Sequence, residues 1–212
     1  MPRRSAAFPE RLARCVFGLA LFGAGIALIV DADLGLGPWD VFHQGLSEIT
    51  GLSMGLVIVI VGVLLMLFWI PLRQRPGLGT VLNALEIGVV VDLAAPLLGV
   101  QTEPVVRLGL LGAGLVLIAA GSGLYIGAGL GAGPRDGLMM GLAERGVSVR
   151  SARTGIELVV LAAGIALGGA VGVGTIAFAF GIGPMVQVFL PLFDARGDVA
   201  GATAEAFGSA DQ

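Results

Sequence analysis

The sequence is short of the residue types that carry most chemistry in soluble proteins. Its 212 residues include one Cys and one His, and all twelve basic residues are arginine. A single Cys cannot form an intramolecular disulfide, and one His cannot supply a metal site of the ordinary type. Without lysine the chain has no Walker motif, so it is not itself a P-loop ATPase. We therefore expect no bound metal and no cofactor.

Charge is also scarce. Only 13% of the residues are charged, 56% are hydrophobic, and the mean hydropathy is +0.97. A soluble domain of this length needs more charge to cover its surface, so the composition predicts a protein embedded in the lipid bilayer. The net charge of -3 gives no basis for binding nucleic acid. Because few polar groups cluster, we expect no enzyme and no catalytic residues.

Six stretches are long and apolar enough, or nearly so, to cross a membrane as helices, which takes about 20 residues. They are residues 15–33, 54–72, 79–98, 107–128, 154–171 and 174–193. Residues 1–14 then form a cytoplasmic N-terminal arm. Residues 197–212 are small, polar and acidic, and they are expected to form a disordered cytoplasmic tail. The predicted fold is an all-α polytopic membrane protein with six transmembrane helices.

A short helix is predicted after the first span and again in the second half. Gly35–Asp40 reads Gly-Leu-Gly-Pro-Trp-Asp, and Gly131–Asp136 reads Gly-Ala-Gly-Pro-Arg-Asp, 96 residues later. Proline at the first helical position, with an acid two residues on, is typical of a helix start. We expect short helices over residues 38–49 and 134–145. Each is too short to span, so it lies at the interface or enters the membrane as a re-entrant segment.

Residues 15–98 and 107–193 are predicted to be two copies of one repeat, with three spans and one short helix each. The match continues from Gly77–Thr80 to Gly172–Thr175, at an offset of 95. Since three spans is an odd number, the second copy must be inverted relative to the first. With both termini cytoplasmic, all arginines except Arg107 fall on the inner side, as the positive-inside rule requires.

The motif string resembles a known family. The segments Gly-Leu-Gly-Pro-Trp-Asp-Val, Thr-Gly-Leu-Ser-Met-Gly and Trp-Ile-Pro-Leu-Arg-Gln-Arg-Pro-Gly-Leu-Gly-Thr are similar to those of the YczE group of bacterial membrane proteins, which is related to the YitT-type family. The similarity runs through most of residues 12–195 and is strongest across 35–80. It implies a multi-pass protein of the bacterial cytoplasmic (inner) membrane. It supplies no substrate and no functional residues.

The repeat itself provides the first candidate binding residues. Asp40 and Asp136 are equivalent acids in the first turns of the short helices, where they either cap the helix or form a cation- or proton-binding pair. The backbone N–H groups at these starts are an alternative site for an anion. His43 lies on the polar side of its helix and is expected to face solvent or lipid headgroups, with a proton relay as the alternative. Trp39 and Trp69 are expected to be interface anchors.

Further candidates lie within the third span. Glu86 and Asp92 are acids at membrane depth, which marks them as candidates for an ion or substrate site or as polar contacts between helices. Asn83 lies one turn from Glu86, and Gln187 is the counterpart of Asp92 in the second copy.

These features favour a small secondary transporter that works by alternating access between inverted repeats on an unknown small molecule or ion. Since twelve spans are common in such transporters, a homodimer is one expected assembly. A substrate-capture, regulatory or assembly subunit of a larger membrane complex is the alternative. A channel is a third possibility.

Overall fold

A computed structural model describes residues 6–99 and 101–194, and within these ranges the chain forms helices and no strand. The predicted tail at residues 197–212 lies outside the described residues. The α-helices are α1 (Phe8–Ala32), α2 (Pro38–Thr50), α3 (Met54–Leu72), α4 (Leu78–Ala94), α5 (Pro104–Ala128), α6 (Pro134–Ala143), α7 (Val149–Ala166) and α8 (Val173–Phe193). A 3-10 turn, Ala95–Leu97, continues α4.

Five of the helices are long and apolar enough to cross a membrane: α1, α3, α4 with its 3-10 turn, α5 and α8. The all-helical membrane fold is therefore confirmed. The predicted span at 154–171 corresponds to α7, which begins and ends five residues earlier than expected. Helix α7 falls short of a span by composition because Arg150, Arg153 and Glu157 lie in its first half. Gly168, with a φ of +94°, follows its end.

The centre of the molecule is an antiparallel contact between α1 and α5. Gly18 of α1 meets Gly121 of α5, and Gly25 meets Gly114 one heptad away. A Cβ atom on Gly121 would lie 2.5 Å from the carbonyl oxygen of Gly18, and one on Gly114 would lie 2.7 Å from that of Gly25. Glycine allows this approach because it has no side chain to separate the backbones, as in other packed membrane helices.

Two arginines close the ends of this helix pair. The Nε atom of Arg11, near the start of α1, donates to the carbonyl oxygen of Ala128 at the end of α5, over 2.7 Å. The Nε atom of Arg107, near the start of α5, donates to that of Ala32 at the end of α1, also over 2.7 Å. Each guanidinium satisfies carbonyl groups that a helix C-terminus leaves without partners.

The other helices pack around this pair. Helix α4 packs against α1 and α3, α8 against α5, α2 against α7, and α6 against α3. The two halves also exchange backbone hydrogen bonds. The amide of Gly174, at the start of α8, donates to Leu34 in the loop after α1, over 2.7 Å. The amide of Gly79, at the start of α4, donates to Leu130 in the loop after α5, over 2.8 Å.

These exchanged hydrogen bonds explain why the first residue of each Gly-x-Gly-Pro motif is glycine. Gly35 and Gly131 have φ angles of +100° and +132°, a region that favours glycine. A Cβ atom on Gly35 would also lie 2.3 Å from the backbone nitrogen of Gly172 in the other half. The second glycine and the proline then begin the short helix, as predicted.

Replacing Gly121 with alanine tests the central contact. We expect Gly121→Ala to destabilise the protein by about 1–3 kcal/mol, because the new Cβ meets backbone atoms that cannot move separately. Gly112→Ala on the same helix is the matched control, since no atom lies within 4 Å of its Cβ position. There the better helix propensity of alanine, about 1 kcal/mol, should leave stability unchanged or raised. Thermal unfolding in detergent measures both, and equal effects would contradict the close contact.

Candidate functional site

The two short helices begin at one shared place inside the molecule. Arg107, near the start of α5, contacts the end of α1. The two helices are therefore antiparallel, and their C-termini lie at opposite ends of the pair. The short helices follow those two ends after only five residues each. Nevertheless the Nη2 atom of Arg135 in the first turn of α6 lies 3.9 Å from Oδ1 of Asp40 in the first turn of α2. The loops after α1 and α5 must therefore turn back into the molecule before α2 and α6 begin.

A cavity of about 170 Å³ lies at this meeting point, and all eight helices contribute to its wall. Much of the wall is apolar, with Ile58, Val61, Ile118 and Ile182 among its side chains. The polar and charged side chains on the wall are Trp39, His43, Asn83, Ser122, Tyr125, Arg135, Asp136, Arg153, Glu157 and Gln187. Four of the predicted candidates, namely His43, Asn83, Asp136 and Gln187, are thus brought together.

Asp40 and His43 form a buried pair beside the cavity. Asp40 is 5% exposed and His43 is 1% exposed, and Oδ1 of Asp40 lies 3.4 Å from Nδ1 of His43. The expectation that His43 faces solvent or headgroups is wrong. The sequence pattern placed His43 on a polar side of α2, but α7 packs on that helix and His43 itself lines the cavity.

Trp39 and Arg135 occupy equivalent positions in the two motifs, and they contact each other. The guanidinium carbon of Arg135 lies 4.9 Å from the ring centroid of Trp39, within the range of a cation–π contact. Trp39 is 7% exposed, and its Nε1–H has no hydrogen-bond partner among the described residues. The prediction that the tryptophans are interface anchors is wrong, since Trp69 is also buried and donates to the carbonyl oxygen of Pro134 over 3.0 Å.

Asp136 accepts a hydrogen bond from the hydroxyl of Tyr125, with 2.9 Å between the oxygens. Arg153 and Glu157, also on the cavity wall, form an ion pair over 3.0 Å. Sequence reasoning missed Tyr125 and read Arg135 only as a topology signal. The matched position of Arg135 and Trp39 was visible in the repeat, but nothing in the sequence indicated that these positions meet.

The two acids of α4 lie away from the cavity wall. Asp92 accepts hydrogen bonds from the hydroxyl of Ser53 over 2.5 Å and from the amide of Gly55 over 2.8 Å. Its carboxylate therefore caps the start of α3, which is one of the two roles anticipated for an acid in this span. Glu86 is half-buried and does not line the cavity.

The fold and its apolar helices define a multi-pass membrane protein. The model of a family of unknown function, DUF6198, matches residues 9–191, so the chain belongs to that family. The "Uncharacterized membrane protein YczE" of Bacillus subtilis is 39% identical over 180 residues, 82% of each chain, which confirms the resemblance to the YczE group.

Two further relatives match over most of their length. An uncharacterized protein of Haemophilus influenzae is 39% identical over 176 residues, which is 82% of this chain and 81% of its own length. The Bacillus subtilis protein YyaS is 30% identical over 187 residues, 84% of this chain and 90% of its own. No solved structure matches the chain.

The capping role of Asp92 leads to a stability prediction. We expect Asp92→Ala to destabilise the protein by about 1–2 kcal/mol, because the first turn of α3 loses a hydrogen-bond acceptor. Glu103→Ala is the control, since Glu103 precedes α5 without a side-chain cap bond. A comparison of the two unfolding temperatures in detergent measures the difference. An unchanged unfolding temperature for Asp92→Ala would contradict the capping role.

Proposed function

We propose that the protein is a small secondary transporter whose two halves form an inverted repeat and alternate in exposing the central cavity to the two sides of the membrane. The observation that carries this proposal is the cavity itself, which lies where the equivalent helix starts of the two halves meet. Binding sites between inverted repeats, at interrupted helices whose starts point to the substrate, are typical of secondary transporters.

Contacts that occur in equivalent pairs support the inverted repeat. Helices α1 and α5 have the same length and differ by 96 residues in their bounds. At the same offset Gly18 is equivalent to Gly114, and Gly25 is equivalent to Gly121. The contact between Gly18 and Gly121 is therefore equivalent to the contact between Gly114 and Gly25. A two-fold rotation that exchanges the halves accounts for both contacts and for the antiparallel direction of α1 and α5. The same rotation relates the two backbone hydrogen bonds that Leu34 and Leu130 accept from the other half.

The same symmetry supports the proposal that α7 is a sixth span. Helix α7 matches α3 at an offset of 95 in its start, and α2 packs on α7 as α6 packs on α3. Arg153 and Glu157, which lower the hydropathy of α7, are paired with each other on the cavity wall. Charged side chains at membrane depth are tolerable where they face the interior of the bundle and pair with each other.

One departure from symmetry supports alternating access. Helix α3 packs closely on α4, and a Cβ atom on Gly88 would lie 2.2 Å from the carbonyl oxygen of Gly55. The counterpart of Gly88 is Gly183, which lines the cavity and has no atom within 4 Å of its Cβ position. The α3–α4 contact is thus closed where the α7–α8 contact is open. An exchange of these two arrangements between the halves would open the cavity to the other side.

The arginines support a bacterial inner-membrane location with cytoplasmic termini. Arg11 lies near the start of α1, and Arg145 contacts the carbonyl oxygen of Leu72 at the end of α3. With the N-terminus inside, both belong to the cytoplasmic end of the molecule, as the positive-inside rule requires. Arg107 lies at the other end, beside Asp33.

Two-sided access to the cavity tests the proposal. We expect a single cysteine at position 122, made as Ser122→Cys with Cys15→Ala, to react with a membrane-impermeant maleimide in both right-side-out and inside-out vesicles. Ser122 lies on the cavity wall, and a cavity that alternates is exposed to each side in turn. Glu48→Cys in the same background is the control, because exposed Glu48 near the outer end of α2 should react from outside only.

Labelling of position 122 from a single side would favour a static capture or regulatory subunit over a transporter. Labelling of Glu48→Cys from inside would overturn the assigned orientation.

A further inference from the structure

We propose that the cavity binds a small zwitterion with a short apolar body, such as an aliphatic amino acid, whose carboxylate is held by Arg135 and Trp39 and whose ammonium group lies at Asp136. This inference rests on the proposed function and specifies its substrate class. It depends on three features of the cavity, namely unused hydrogen-bond donors, the balance of charge, and the apolar wall.

Two neighbouring donors on the cavity wall have no acceptor. The guanidinium of Arg135 makes no hydrogen bond to any described residue, and the nearest carboxylate oxygen, on Asp40, is 3.9 Å away. The Nε1–H of Trp39 is buried and also lacks a partner in the described part of the chain. The buried Nε1–H of Trp39 costs free energy while it lacks an acceptor, and the half-buried guanidinium of Arg135 beside it has no close acceptor either, so a ligand that supplies acceptor oxygens is favoured here. A carboxylate suits both groups, because guanidinium binds it through two parallel hydrogen bonds.

The charges around the cavity favour a ligand that also carries a positive group. Asp40, Asp136 and Glu157 face two guanidinium groups, those of Arg135 and Arg153. With His43 neutral, one negative charge is in excess. A simple anion would add a second negative charge in a poorly solvated space, whereas a zwitterion adds none.

Asp136 is the acid best placed for the ammonium group of such a ligand. It lines the cavity and follows Arg135 directly in the first turn of α6. One of its oxygens accepts from Tyr125, and a carboxylate has capacity for further donors. Asp40 instead faces His43 and Arg135. The ligand is thus held by groups of opposite charge on one short helix.

The size and wall of the cavity set the rest of the ligand. Its volume of about 170 Å³ is close to that of cavities that hold a molecule as large as benzene, roughly 150 Å³. Side chains such as Ile58, Ile118 and Ile182 provide an apolar surface next to the polar groups. A branched aliphatic chain of a few carbons fits this combination, which makes valine a suitable probe.

Three compounds separate the contributions of the two charges. Valine has both charged groups, isobutylamine lacks the carboxylate, and isovalerate lacks the ammonium group. We expect the purified full-length protein in detergent to bind valine at least about tenfold more tightly than either analogue, as measured by calorimetry or by thermal stabilisation. An analogue that binds as tightly as valine, or failure of all three to bind, would overturn the proposal.

Variants assign the two charged groups to residues. Trp39→Phe keeps a ring but removes the donor, and Arg135→Gln removes the cation. Each should lower the affinity for valine towards that for isobutylamine, and the affinity for isobutylamine should not change. Asp136→Asn should weaken valine binding towards that of isovalerate. Glu48→Gln, an exposed carboxylate on α2, is the control and should bind valine normally. If Trp39→Phe, Arg135→Gln and Asp136→Asn all bind valine as the original protein does, the assignment is wrong.

The outcomes distinguish this inference from the proposed function. Selective valine binding with one-sided labelling of position 122 would support the ligand class and overturn transport. Two-sided labelling without a preference for valine would support transport and overturn the ligand class.

Discussion

The structure depends on the direct backbone contact between α1 and α5. Where Gly18 meets Gly121 and Gly25 meets Gly114, two long helices approach as closely as their main chains allow. Within a bilayer there is little hydrophobic drive for helices to associate, so close packing of this kind has to hold them together. Arg11 and Arg107 add hydrogen bonds at both ends of the same pair. Helices α4 and α8 then pack on this pair from either half.

The antiparallel pair also determines where the short helices can begin. Each loop after α1 or α5 pairs with the start of α8 or α4 in the other half. That pairing holds Gly35 and Gly131 in conformations that glycine adopts readily, and it directs the following proline inward. Two helix starts that are 96 residues apart in sequence are thereby brought to one cavity. The candidate site is therefore a consequence of the packing of the long helices.

Equivalent positions in the two halves carry different chemistry at this cavity. Trp39 and Arg135 are counterparts, yet one is an aromatic donor and the other a cation, and they lie against each other. In a strictly symmetric site both positions would have the same charge, and two arginines at this distance would repel each other. If the cavity binds the proposed ligand, this difference favours a single orientation of that ligand between the two halves. The open α7–α8 contact, where α3 and α4 are closed, is a second difference of the same kind.

The sequence by itself determined the membrane class and the helix starts at Pro38 and Pro134, because hydropathy and turn chemistry are local properties of the chain. It also indicated four of the cavity residues. Only the tertiary structure decided that Arg135 and Tyr125 join them, that Asp92 caps α3 instead, and that His43 is buried. The physical reason is that periodicity identifies the polar side of a helix but not the neighbour that covers it. That neighbour depends on contacts such as those of Gly18 and Gly121, which join distant parts of the chain.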